Sequence, residues 1–108
     1  MVLIVINGWF PAKNSAEAGK KYLEILKKFP RDKTLGKVIV PVGVKITKEG
    51  MKTFSVMEVK EGKFKEAMEL SYNRLLAYSE IEGYTAEIEI YMSGTEALPL
   101  VGLQMPQE

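Results

Sequence analysis

The 108-residue chain carries 15 Lys and Arg against 14 Asp and Glu, a net charge of +1, and has neither Cys nor His. That length makes one domain able to bury a core. The missing thiols exclude disulfides and thiolate chemistry, and the missing imidazoles remove the commonest metal ligand.

The opening stretch "MVLIVINGW" predicts a first strand over Val2 to Trp9. Val2 to Ile6 are apolar without a break, as expected of a strand covered on both faces. The run ends by Asn7 and lacks a basic flank, too short for a signal peptide or a membrane span. A cytoplasmic protein with no membrane partner is expected.

"PAKNSAEAGKKYLEILKKF" then reads as a helix. Asn14 or Ser15 can cap it, and Glu17 stands three residues after Asn14 as in a capping box. Ala18, Tyr22, Ile25, Leu26 and Phe29 share one face at helical spacing, and Pro30 stops the helix.

"KVIVPVGVKIT" alternates from Val38 through Val40, Val42 and Val44 to Ile46, the period of a strand. Pro41 has no N–H to give a ladder, so this is predicted to be an edge strand. "TKEGMK" makes a turn with Gly50 free to take positive φ, and "KTFSVMEVK" returns as the third strand. The second helix is predicted over Lys63 to Ser79, with Phe64, Ala67, Met68, Ser71, Leu75 and Tyr78 on its inner stripe. "YTAEIEIYM" is the last strand.

The order βαββαβ is the split βαβ of a ferredoxin-like α+β sandwich, expected over residues 1–94. Right-handed crossovers give an antiparallel sheet ordered 4-1-3-2, with both helices on one face. The first strand is then central and the second lies at an edge, in agreement with Pro41.

If Ile4 and Ile6, Val40 to Ile46, and Ile88 and Ile90 face the helices, the other face shows Leu3, Val5, Asn7 and Trp9 on strand one. It shows Ile39, Pro41, Gly43 and Lys45 on strand two, and Glu87, Glu89 and Tyr91 on strand four. Strand three leaves two choices, Phe54 with Val56 or Met57 with Val59. Such a patch is unusually large for a monomer. A homodimer is therefore expected, with Leu3, Val5, Ile39 and Pro41 in the interface. The tail, residues 95–108, carries Leu98, Leu100, Val101, Leu103 and Met105, too apolar for a disordered end. A helical turn after Thr95 and then an extended segment on an edge of its own or a partner's sheet is expected.

A chain of this length and order, with a half-apolar open sheet face and an apolar tail, resembles the dimeric α+β barrel superfamily, in which two ferredoxin-like subunits face their sheets together. The group includes cofactor-independent quinol monooxygenases, haem-degrading monooxygenases, muconolactone isomerases and domains without known activity. The resemblance is one of architecture. It implies that Asn7 and Trp9, two apart on one strand face with Tyr91 beside them, match side-chain types that position substrate and oxygen in the monooxygenases. The competing reading is that Asn7 ends the strand and Trp9 plugs the barrel end. Without His, haem ligation of the family's type is disfavoured.

Glu58, Glu87 and Glu89 are candidates for a carboxylate raised in pKa by an apolar cavity, or for solvated or Lys-paired groups. Tyr72 and Asn73 on helix two could line a pocket or lie on the surface. An RNA-recognition reading of "LIVING" and "KTFSVMEV" fails because Ile4 and Val56 stand where stacking aromatics are needed, and the near-neutral charge lacks the basic bias of a nucleic-acid footprint. No metal set and no phosphate loop is present in the sequence. Two functional classes follow, neither requiring a cofactor: a small-molecule-binding or scaffold module, or a cofactor-independent monooxygenase-like or isomerase-like enzyme on an aromatic or apolar small molecule.

Overall fold

The computed structural model describes residues 1–106. Its elements are β1 (Val2–Phe10), α1 (Ser15–Lys28), β2 (Gly36–Thr47), β3 (Gly50–Val59), α2 (Phe64–Tyr78), β4 (Thr85–Met92) and a short α3 (Gly94–Ala97). The sheet runs β2-β3-β1-β4 with every neighbour antiparallel. This is the predicted order, and Pro41 lies on an edge strand as its missing donor requires.

Pairing assigns the faces. Ile4 stands opposite Met57 and Ile90, and Ile6 opposite Ser55 and Ile88. These positions face the helices. Val5 stands opposite Val56 and Glu89, and Asn7 opposite Phe54 and Glu87, on the open face. The two choices for strand three resolve to Phe54 and Val56 outward.

β2 departs from simple alternation. Its register against β3 shifts between Val38 and Val40 and again between Val40 and Gly43. The first precedes Pro41, which cannot donate to the ladder, and the second spans it. Each adds one residue to β2, and the total of two restores the alternation: Val38, Val44 and Ile46 stand on the helix side, opposite Met57, Thr53 and Met51, whereas Val40, expected there, pairs with Val56 of the open face. Gly36, at the start of the strand, has φ 153°, and a Cβ there would lie 2.0 Å from the Glu58 carbonyl oxygen. Only glycine fits this approach.

α1 begins where predicted, but the expected cap does not form. Asn14 makes no capping bond, and its Nδ2 donates instead to the Glu82 carbonyl at 3.0 Å. That bond ties the start of α1 to the loop before β4, a long-range use of the side chain that local spacing could not reveal.

The core has two clusters. Ile4, Leu35, Val59 and Ala67 form one, and Phe10, Ala18 and Ile81 the other. The β2–β3 hairpin outreaches the helix layer for a geometric reason: 12 strand residues span about 40 Å, whereas 14 helical residues span about 21 Å. Val44 and Ile46 on its helix side are accordingly 61% and 77% exposed. After β4, α3 and a 3-10 turn over Leu98–Val101 carry the tail, and residues 103–106 add no strand to the sheet of this chain. Leu100, Val101, Leu103 and Met105 are exposed.

Candidate functional site

A cleft of about 400 Å³ opens between the helix layer and the sheet and touches both core clusters. Small residues at core-facing positions create it. Thr53 and Ser55 lie on the helix side of the sheet, and Ala18 and Gly19 of α1 and Ser71 of α2 border the space. A Cβ on Gly8 would approach the Tyr84 hydroxyl to 2.7 Å and Thr53 Oγ1 to 2.9 Å, so the bare glycine admits the phenol. Ile4, Ile6, Ile25, Leu26, Val38 and Leu75 supply apolar lining.

Polar groups are few and distinct. Ser71 is buried, and its hydroxyl donates to the Ala67 carbonyl at 2.9 Å. Tyr78 and Tyr84 stack with ring centres 4.9 Å apart, and Phe10 continues the stack at 6.4 Å from Tyr84. Arg74 of α2 donates from Nε at 3.1 Å and from Nη2 at 2.8 Å to the Phe29 carbonyl at the end of α1. Arg31 reaches the Tyr22 hydroxyl with Nη2 at 3.4 Å. Both arginines and Tyr22 border the cleft, and among the described residues no acidic side chain does.

Burial pushes the Tyr84 phenol from its ordinary 10.0 up to about 12. Tyr78 is raised further, first by burial and then by the charge of a Tyr84 phenolate. The folded chain thus holds protons that the unfolded chain releases near pH 10. Stability from this source is whole below pH 10 and drains away as pH climbs through about 12. Denaturant titrations from pH 9 to 12 should show a steeper loss for the natural chain than for Tyr78→Phe or Tyr84→Phe. The difference should reach about 1–2 kcal/mol per tyrosine once partial solvent screening is allowed for. Equal slopes would show that the phenols are wet.

The sequence-predicted site residues stand elsewhere. Asn7 is buried on the open face, and its Nδ2 donates to Glu89 Oε1 at 2.5 Å. The Tyr91 hydroxyl donates to Glu89 Oε2 at 2.6 Å, and this bond, ahead of any burial, raises the Tyr91 pKa. Three candidates therefore form one network across β1 and β4. Trp9 lies beside them with Lys52 Nζ 5.7 Å from its ring centre. Glu58 is half-buried opposite Leu3, and Glu87 is exposed opposite Asn7. Tyr72 is exposed on α2. None of the seven borders the cleft. Of the expected interface residues, Leu3 and Val5 are half-buried on the open face, Ile39 is exposed, and Pro41 edges the cleft. Arg31, Arg74 and Tyr84 were not singled out from the sequence. The available signal was Ser71, Arg74 and Tyr78 at helical spacing on the stripe that faces the sheet.

No helix among the described residues is long and apolar enough to cross a membrane, and no group of three or more acidic side chains gathers among them as a metal set would. No protein-family model matches the chain, and no curated protein matches it. Solved structures do. A proposed antibiotic biosynthesis monooxygenase from Deinococcus radiodurans superposes with a TM-score of 0.61 at 13% identity, over 87% of this chain and 93% of that one. The shared fold is the ferredoxin-like α+β sandwich. The cofactor-independent oxygenase SnoaB of Streptomyces nogalater is similar with a TM-score of 0.52 at 12% identity, over 86% of this chain and 93% of that one. The de novo designed protein Foldit4 matches at 0.57 and 12% identity, over 85% and 96%. A designed chain and an oxygenase share this fold, so the fold by itself assigns no activity.

Proposed function

We propose that the chain is a small-molecule-binding module that works as a homodimer and takes an apolar ligand into the cleft between helices and sheet. The cleft carries this reading. Its size and its apolar lining with few polar groups are those of a ligand site. The dimer reading rests on the open face. Leu3, Val5, Trp9, Phe54 and Val56 make an apolar centre, and Lys37, Lys45, Lys52, Glu58, Glu87 and Glu89 make a charged rim. The acidic pair lies on β4 at one edge, and Lys37 and Lys45 lie on β2 at the other. A two-fold axis parallel to the strands would set each acidic edge over the partner's basic edge. The apolar tail would then reach its own or the partner's sheet.

Titration with the neutral dye N-phenyl-1-naphthylamine tests the module. Emission should rise with saturation at one dye per subunit, and no saturable binding would end the reading. The second reading is a cofactor-independent oxygenase-like or isomerase-like enzyme on an aromatic small molecule. It draws on the likeness to SnoaB and on the Asn7–Glu89–Tyr91 network, which a second sheet would enclose. Oxygen consumption with a quinol would favour it, and its loss in Asn7→Leu would place the chemistry on that face.

A further inference from the structure

We propose that the ligand of the cleft is an apolar acid whose carboxylate is held by Arg74 and Arg31. This rests on the cleft being a ligand site and adds the chemistry of its occupant.

Two guanidinium groups, those of Arg74 and Arg31, border the cleft, close enough for the charge of one to act on the other. Arg74 is half-buried, and burial, followed by the charge of Arg31, lowers its pKa. Keeping two cations close in partly dry surroundings costs stability unless an anion joins them. Among the described residues neither arginine is ion-paired. The nearest acid in sequence, Asp32, spends Oδ1 on the Thr34 backbone N–H at 2.9 Å and on the Thr34 hydroxyl at 2.6 Å.

Arg74 is also fixed in place. Its Nε and Nη2 grip the Phe29 carbonyl, which anchors one edge of the guanidinium to the end of α1. Nη1 and the second Nη2 hydrogen remain on the opposite edge, the fork that matches a carboxylate. The anchoring lowers the ordering cost of a bidentate contact. Arg31, exposed and held only by a long bond to Tyr22, can close over the bound group. The same cleft is lined by Ile4, Ile6 and Val38. A hydrocarbon body with one acidic end fits this set of surfaces, whereas a polyanion would leave its remaining charges against the apolar lining.

The test uses the full chain and displacement of N-phenyl-1-naphthylamine by matched pairs, dodecanoate against dodecanol and 2-naphthoate against 2-naphthylmethanol. 2-Naphthol, titrated across its own ionisation, separates a phenolate from a carboxylate. Each acid should compete at least about tenfold better than its alcohol at low ionic strength. That advantage should shrink to near unity in Arg74→Leu, fall in part in Arg31→Gln, and not be restored by Arg74→Lys, which keeps the charge but loses the fork. Acid and alcohol competing equally in the natural chain would overturn the inference while leaving the cleft a binding site. A chain that never binds the dye would remove both. If Arg74→Leu loses the dye as well, Arg31→Gln decides, because Arg31 is exposed: an undiminished preference for acids there would overturn the two-arginine site. A preference for phenolate over carboxylate would overturn the ligand class.

Discussion

Val5→Lys should turn a dimer into a monomer at micromolar concentration, weakening self-association by at least about 100-fold. Val5 lies on the central strand beside Val56, at the middle of the open face. Covering about 500 Å² of apolar surface on each of two copies yields roughly 25 kcal/mol at about 25 cal/mol per Å². Association itself costs some 4–15 kcal/mol, so the margin is real but finite. A lysine there would be buried at the two-fold centre and face its own copy. The single chain has no such problem, because the residue points away from the helices and its ammonium stays wet. Far-ultraviolet circular dichroism should be unchanged, and sedimentation velocity should report one subunit. Tyr72→Lys, exposed on α2, should leave the dimer intact. A Val5→Lys chain that sediments like the natural one would put the interface elsewhere, and a natural chain that is monomeric would end the dimer reading.

What the sequence revealed and what it hid have separate physical causes. Periodicity exposed the strands, the helices and their order, because period 2 and period 3.6 are imposed locally by backbone geometry. Pro41 marked an edge without any knowledge of neighbours. The face of strand three was undecided because both sets of alternating residues on β3 are partly apolar, and pairing with Ile4 and Val5 was needed to choose. The capping role of Asn14 failed for a related reason, since its partner, Glu82, is 68 residues away. The cleft was hidden most deeply. Attention to chemistry-bearing side chains led to the open face, where Asn7, Glu89 and Tyr91 do meet. A cavity is announced instead by what is missing, and Gly19, Ser55 and Ser71 read as unremarkable until sheet and helices bring their small volumes together. Arginines on a helix likewise read as surface, and only the carbonyl of Phe29 shows that Arg74 is held inward.

Ser55→Trp should abolish dye binding in the cleft, lowering affinity by at least about 30-fold, while leaving the fold as stable as before or more so. Ser55 lies opposite Ile6 on the helix side of β3 and borders the cleft. An indole at that point would project into the space that the ligand needs. Aromatic residues suit strands, and the new ring would cover apolar lining that otherwise faces water. Because Trp9 is the only natural tryptophan, on the other side of the sheet, a second, blue-shifted emission would show that the new ring is enclosed. Ser55→Ala, which removes only a hydroxyl, should bind dye within about twofold of the natural chain. The two variants separate space from chemistry: loss in both would mean that the hydroxyl itself contacts the ligand, and unimpaired binding in Ser55→Trp would move the ligand out of the cleft altogether. Dimerisation should be untouched in either, since the substituted position faces the helices and the open face keeps its composition.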